Sequence, residues 1–512
     1  HPVSLPPTEE KHRRASKIMA MSPSSLPATT TPHVLLIPYP AQGHVNPFLR
    51  LAKALHARGF YVTFVHTEHN HGRLLRSRGP GAVAGAAADG LRFETIPDGL
   101  PHAELDATQD IWALCEATRR ECPAHVRELV ERLGRTEGVP PVTCVVADGA
   151  MGFAVHVAKE MGLSAYLFFT PSACGFLGYL NFDQLVKRGY VPFKDGSCFT
   201  NGYLDTPLDW IAGMISNVRL RDFPTFIRTT DAEDTMLTIN IKQCEIDAPA
   251  ADGILLNTFD DLEGAALEAI RARLPNTFTI GPLGPEVSPS SYLPSLTSSL
   301  WKEDDRCVAW LDAQPADGSV VYVNFGSITV VTRGQMVEFA RGLAAADSPF
   351  LWVVRPDMVR DGGEMLPVPE GFAEEVLGRG LMVGWCDQEA VLGHRATGGF
   401  LSHCGWNSTV ESLRAGVPML CWPFFSEQVT NCRYACEEWG VGVEMARDAG
   451  RGEVEAAVRE LMGDGEKAAA MRRKAAEWKE KAARAVAAGG SSQLDLDRFV
   501  DEIARASTSS SS

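Results

Sequence analysis

The 512-residue chain holds twelve cysteines but no C-x-x-C pair, so the usual zinc and redox spacings are missing. Cys432 and Cys436 lie one helical turn apart and read as buried thiols. A reducing, cytoplasmic setting fits that scattered usage. The chain also lacks a run of about eighteen apolar residues. The longest candidate, Val142–Ala158, is broken by Asp148, His156 and two glycines, so no membrane span is expected, and the N-terminus has no apolar signal core. Positive charge is scarce: 48 Lys and Arg stand against 64 Asp and Glu, a formal net charge of −16. That argues against nucleic acid or an anionic membrane as partner. It also means that an anionic ligand must be held by local dipoles. No G-x-x-x-x-G-K-[ST] and no G-x-G-x-x-G after a strand occurs, which counts against ATP and NAD. No repeat of about 20–50 residues is visible.

With 45% apolar and 22% charged residues, the chain has the composition of a globular enzyme large enough for two or more cores. Apolar runs at His33–Tyr39, Tyr61–Val65, Leu91–Ile96, Val142–Ala147, Ala165–Phe169 and Gly253–Asn257 read as strands. Helical patterns lie between them, including one opened by Pro47 and one over Ile111–Leu133. A Pro-, Gly- and Ser-rich stretch, Gly281–Leu300, follows. A second series runs through Val320–Phe325, Phe350–Val354, Leu381–Gly384, Gly399–His403 and Met419–Trp422, with helices at Arg333–Ala346 and Glu427–Trp439. Alternation of this kind makes two doubly wound α/β domains. The expected division is a leader over 1–31, a first domain over 32–283, a linker over 284–302, a second domain over 303–485, a C-terminal helix over 486–506 and a tail over 507–512. The chain begins with His, and residues ahead of Met19 or Met21 are set aside from the fold.

The most informative stretch is Trp385–Gln428. Ser408-Thr-Val-Glu411 has the spacing of a capping box, so a helix is expected to start near Ser408 and to stop at Gly416. A helix N-terminus binds phosphate through its free N–H groups and partial positive charge. His403 and Ser408 flank that point, Trp385 offers a flat face to a base, and Glu427-Gln428 can read hydroxyls. Together they point to a nucleotide-sugar site. Taken singly, Trp385 and Trp406 also fit a core, Ser408 and Glu411 can simply cap each other, and His403 fits a structural role.

Across its forty-four residues this stretch closely resembles the signature box of plant family 1 UDP-glycosyltransferases. The resemblance, extending from about His33 to Ile503, implies a GT-B architecture of two Rossmann-like domains across a cleft, with the last helix returning to the first domain. It implies that Trp385 stacks on uracil and that Gln388 and Glu411 bind ribose. His403, Asn407 and Ser408 would hold the diphosphate, and Trp406, Glu427 and Gln428 would read the sugar, the terminal Gln matching glucose. Two positions depart from the pattern: Asp387 replaces the usual Pro, and Glu427 the usual Asp. The first is expected to alter a loop only.

In P-Y-P-A-Q-G-H-V-N-P, His44 follows a strand and precedes a helix, where open α/β sheets bind ligands. Its imidazole can take a proton from a hydroxyl, with Asp148 of C-V-V-A-D-G as counter-ion. Both residues also fit as local caps. The resemblance favours catalysis, because both motifs match the family's catalytic pair, and it places Thr170 on the sugar and Ser327 on the phosphates. Arg219–Thr230 resembles the branch that glucosylates cyanohydrins, iridoids and diterpenoids.

The expected reaction is an inverting, metal-independent transfer of glucose from UDP-glucose to a hydroxyl of a small lipophilic plant metabolite. No cofactor, no nucleic acid and a monomer are expected. His66, His69 and His71 form a tempting H-x-x-H-x-H, but no carboxylate set completes a metal site. Asp495-Leu-Asp497 is read as a solvated helix face. Two rivals stand: a catalytically silent sugar-nucleotide binder, which a donor-hydrolysis assay separates, and a NAD-dependent oxidoreductase, which a nucleotide-binding screen separates.

Overall fold

The computed structural model describes residues 31–79, 90–101, 109–284, 299–359 and 368–509. All but the last residue of the expected leader, most of the expected linker and the last residues of the tail lie outside the described residues. Seven strands form the first sheet: β1 (His33–Ile37), β2 (Tyr61–Thr67), β3 (Leu91–Ile96), β4 (Cys144–Asp148), β5 (Ser164–Phe169), β6 (Gly253–Leu256) and β7 (Thr277–Thr279). Their order is β3-β2-β1-β4-β5-β6-β7, and every pairing is parallel. Six more form the second: β8 (Val320–Asn324), β9 (Phe350–Val353), β10 (Gly380–Val383), β11 (Thr397–Ser402), β12 (Met419–Cys421) and β13 (Gly442–Glu444), ordered β10-β9-β8-β11-β12-β13 and also parallel.

Side chains alternate across a strand, and β1 shows the consequence. Leu35 and Ile37 join a core with Leu114 and Val126 of the Ile111–Leu133 helix. Val34 and Leu36 join another with Phe48 and Leu55 of the Gln42–His56 helix. That second core also takes in Leu496, Phe499 and Ile503, so the Ser491–Ser509 helix packs on the first sheet. The second sheet places Val321 and Val323 against Met336 and Phe339 on one side. On the other, Val320 and Tyr322 belong to the same apolar cluster as Leu35. One continuous core therefore joins the two halves.

Several expectations are corrected. The helix assigned to Pro47 begins at Gln42, five residues earlier, with Pro47 inside it. Proline has no N–H to donate to the carbonyl four residues back, so the Gly43 carbonyl lacks an intrahelical partner. The side-chain amide of Asn407 donates to it across the cleft at 2.6 Å. The helix expected from Ser408 begins at Trp406, after Gly405 in extended conformation. Ser408 and Glu411 lie inside it and form no capping box. Its end at Gly416, with φ of 77°, is as expected. The three-residue strands β7 and β13 are too short to leave an apolar run.

Candidate active site

The C-terminal ends of both sheets face one cavity of about 620 Å³, the position at which open parallel sheets bind ligands. His44 follows β1, Asp148 ends β4 and Thr170 follows β5; opposite them, Ser327 follows β8, Trp385 follows β10 and His403 follows β11. Each of the thirteen site residues expected from the sequence lines this cavity.

His44 occupies the third position of its helix. Its Nδ1 lies 2.7 Å from Asp148 Oδ2 and 2.9 Å from Thr170 Oγ1. With Nδ1 engaged as donor to the carboxylate, Nε2 is the basic nitrogen. Burial pulls the imidazole pKa down, but the charge and hydrogen bond of Asp148, with Glu427 beyond, outweigh it and raise the value. Asp148 is almost fully buried, and its second oxygen accepts from the Ala150 N–H at 2.9 Å. The two readings of Asp148 thus coexist: one oxygen caps the next turn while the other holds the histidine. Thr170, expected at the sugar, lines the cavity and is bonded to His44.

On the opposite wall the Trp406–Ala415 helix points its N-terminus at the cavity, and the first amides of a helix have no intrahelical acceptor. The His403 ring wedges between two glycines. A Cβ on Gly326 or Gly405 would stand 2.4 Å from its Nε2, so neither position tolerates a side chain without moving the ring. Burial, with Arg355 nearby, lowers His403 to about 4 and keeps it neutral. Gln388 is held on all sides. Its amide nitrogen donates to Ser408 at 3.1 Å and Glu411 at 2.7 Å; its oxygen accepts from Asn324 at 3.0 Å and Tyr322 at 3.2 Å. Asp387, expected only to alter a loop, caps the Gln388–Leu392 helix by accepting from the Ala390 N–H.

Trp406, expected at the sugar, lines the cavity with its indole already engaged. Its indole N–H donates to the Asn257 carbonyl at 2.9 Å, and the buried ring packs 6.0 Å from Trp439. The side chain thus ties the second domain to the first. Trp385 is half-buried, with Trp301 stacked on it at 6.1 Å and 28°. Glu427 is gripped by Ser426 at 2.5 Å and Tyr179 at 3.3 Å. Gly175 allows that approach, since a Cβ there would lie 2.8 Å from Glu427 Cβ. The side-chain oxygen of Gln428 accepts from the Phe424 and Phe425 amides, and its NH₂ has no partner among the described residues.

Sequence reasoning missed Tyr179, Trp301 and Arg50. Arg50 bridges Glu411 at 2.7 Å and Glu389 at 2.8 Å. None carries a local signal, because each acts on a partner far away in the chain. Asp495, read as solvated, accepts from both the N–H and the hydroxyl of Thr279 at 2.8 Å and so secures edge strand β7. Among the described residues the His66 cluster brings no metal-ligand set together. Among the described residues the one close group of such side chains is Cys404, Cys421 and Cys432, all buried. No described helix is long and apolar enough to cross a membrane.

Comparisons with known proteins agree with this geometry. The family model described as UDP-glucuronosyl and UDP-glucosyl transferase matches residues 295–476, and that of a glycosyltransferase N-terminal domain matches residues 32–206. The chain is 51% identical to 7-deoxyloganetin glucosyltransferase of Gardenia jasminoides, over 91% of this chain and 97% of the relative. It is 49% identical to linamarin synthase 1 of Manihot esculenta, over 92% and 97%. Among solved structures, Os79 of O. sativa in complex with UDP superposes with a TM-score of 0.75 at 30% identity, covering 92% of this chain and all of that one. The two facing parallel sheets are therefore a GT-B fold, and the chain belongs to the plant UDP-glycosyltransferases.

Proposed function

We propose that this enzyme moves glucose from UDP-glucose to the hydroxyl of a small lipophilic alcohol, with inversion at the anomeric carbon. The observation that carries the reading is the His44–Asp148 pair at 2.7 Å, set in the wall of the cavity that the nucleotide-side residues share. Nε2 takes the acceptor proton as its oxygen attacks C1. The bond from C1 to the diphosphate oxygen breaks, and its electron pair leaves with UDP. Asp148 stabilises the imidazolium so formed, which the nearby helix N-terminus by itself disfavours.

In this reading Trp385 stacks on uracil, and Gln388 and Glu411 meet the ribose. His403, Asn407, Ser408 and Ser327 meet the phosphates together with the helix amides. Glu427 and Gln428 read the sugar, and Trp406 contributes through its backbone. Thr170 acts on His44 and lies near the transferred sugar. Asn407 exchanges its bond to the Gly43 carbonyl for phosphate. The helix dipole, the amides and the neutral His403 supply the electrostatic stabilisation of the leaving group, so no divalent metal is required. The two domains, 32–283 for the acceptor and 303–485 for the donor, act as a monomer in the cytosol. Twelve unpaired thiols support a reducing compartment.

Relatives that act on an iridoid and a cyanohydrin, by their names, support a neutral, compact acceptor. The test is incubation with UDP-glucose and a panel of terpenoid, phenolic and cyanohydrin alcohols, with the product anomer read by NMR. β-Glucosides and an equal amount of UDP are expected. UDP binding with neither transfer nor hydrolysis makes the protein a silent binder, and an α-glucoside overturns inversion.

A further inference from the structure

On the acceptor side of the cavity the lining is largely apolar, with Ile111, Phe169, Phe226 and Met236 among its residues. Two amides interrupt it. Asn240 and Gln243 are both more than nine-tenths buried and both line the cavity. Asn240 donates through Nδ2 to the Met236 carbonyl at 2.7 Å, which leaves its Oδ1 without a partner among the described residues. Gln243 makes no side-chain hydrogen bond to any described residue, so both ends of its amide are open. The open amide atoms face the cavity, where water or a ligand completes their hydrogen bonding.

The backbone around these amides is firm. Gln243 opens a π-helical turn, Gln243–Asp247, directly after the Thr235–Lys242 helix. Such turns inside helices are frequent at functional sites. At the far end of the turn, buried Asp247 accepts from Arg119 at 3.0 Å and bonds His156 at 2.9 Å. The turn packs against Gly149–Met151, the segment that directly follows Asp148. The backbone that carries Gln243 is therefore fixed relative to the His44–Asp148 pair. Between them the wall offers an acceptor at Asn240 and both a donor and an acceptor at Gln243, and neither amide carries charge.

We propose that Asn240 and Gln243 form a polar recognition point for a second, uncharged hydrogen-bonding group on the acceptor, such as a hydroxyl or a carbonyl, remote from the hydroxyl that receives glucose. This rests on the transferase reading above and narrows its acceptor class to bifunctional alcohols. A site built to hydrogen-bond a ligand group discriminates against the analogue that lacks it.

The test compares dihydrocitronellol with hydroxycitronellol, which share one carbon skeleton and differ by a distal tertiary hydroxyl. The wild-type enzyme is expected to favour hydroxycitronellol by about tenfold in kcat/KM, in line with one or two net hydrogen bonds. Gln243→Leu removes that preference, through KM for hydroxycitronellol and not through kcat, with UDP affinity and melting temperature unchanged. Gln243→Glu, which keeps an acceptor, retains part of it. Equal efficiency of the two alcohols with the wild-type enzyme, transfer to neither, or an unaltered preference in Gln243→Leu overturns the proposal. Absence of transfer to every alcohol of the broader panel, while UDP still binds, overturns the transferase reading instead.

Discussion

On the second-sheet side of the cleft Gln388 makes four side-chain hydrogen bonds within the protein. On the first-sheet side Gln243 makes none to the described residues. The same contrast runs through the two walls. Opposite the first sheet, Glu411, Ser408 and Asn324 form one connected network around Gln388, and His403 is clamped between glycines. Around His44, a single rigid pair is set among apolar surfaces and two amides that are partly or wholly open among the described residues. A network whose groups are already satisfied holds its geometry with little reorganisation, which suits one invariant ligand. An apolar wall with few polar points selects by where those points stand, which suits a ligand that differs from enzyme to enzyme.

The comparison is broken most severely at the base. Asp148→Asn is expected to lower kcat by ~10²-fold or more, within the range of positioned acid–base catalysis, while UDP affinity stays within about twofold on the opposite wall. The pH profile sharpens the point. In the proposed reaction His44 works as the neutral base, and its pKa is raised because Asp148 and Glu427 outweigh burial. Activity therefore falls as pH drops through that raised value. Removing the Asp148 charge moves the acid limb to lower pH as the plateau falls. An acid limb that stays in place assigns it to another group.

The next effect belongs to the donor wall. Trp385→Ala is expected to weaken UDP binding roughly 5- to 150-fold, the value of ~1–3 kcal/mol for base stacking, and Trp385→Phe to recover much of it. Trp385 is half-buried, with Trp301 on it, so melting is expected to change little. A large melting loss with normal UDP affinity makes Trp385 a packing residue. Smaller still is Tyr179→Phe, which releases Glu427 from one of its two side-chain partners. A severalfold rise in KM for UDP-glucose and weaker discrimination against UDP-galactose are expected. Unchanged discrimination removes Glu427 from sugar reading. The smallest expected effect is that of excess EDTA, under twofold. A loss above about tenfold that Mg²⁺ or Mn²⁺ restores would show metal assistance.

The sequence is most legible where function and chain order coincide. Most of the second-sheet wall is written in forty-four consecutive residues, and its strands, loops and helix end follow from apolar runs and Gly416. The His44–Asp148 pair was legible through the strand ends, because a parallel sheet brings β1 and β4 side by side even 104 residues apart. What stayed hidden was partner choice across the cleft. Ser408 and Glu411 have the spacing of a cap, yet Gln388 and Arg50 claim them. Trp406 looks like a sugar reader, yet Asn257 takes its N–H. Tyr179 and Gln243 sit in segments with no motif, and only the packed fold reveals that one grips Glu427 and the other faces a cavity. Pro47 misled because proline marks a helix start more often than it sits in the second turn.

The claim on which the rest depends is that His44 removes a proton which the acceptor does not lose unaided. It is tested most directly by His44→Ala on two acceptors, an aliphatic alcohol and para-nitrophenol, at one pH and with saturating UDP-glucose. Transfer to the alcohol is expected to fall ~10²–10⁴-fold, and transfer to the phenol, which ionises by itself, far less. Alcohol turnover within about threefold of wild type, or an equal loss on both acceptors, would contradict the account.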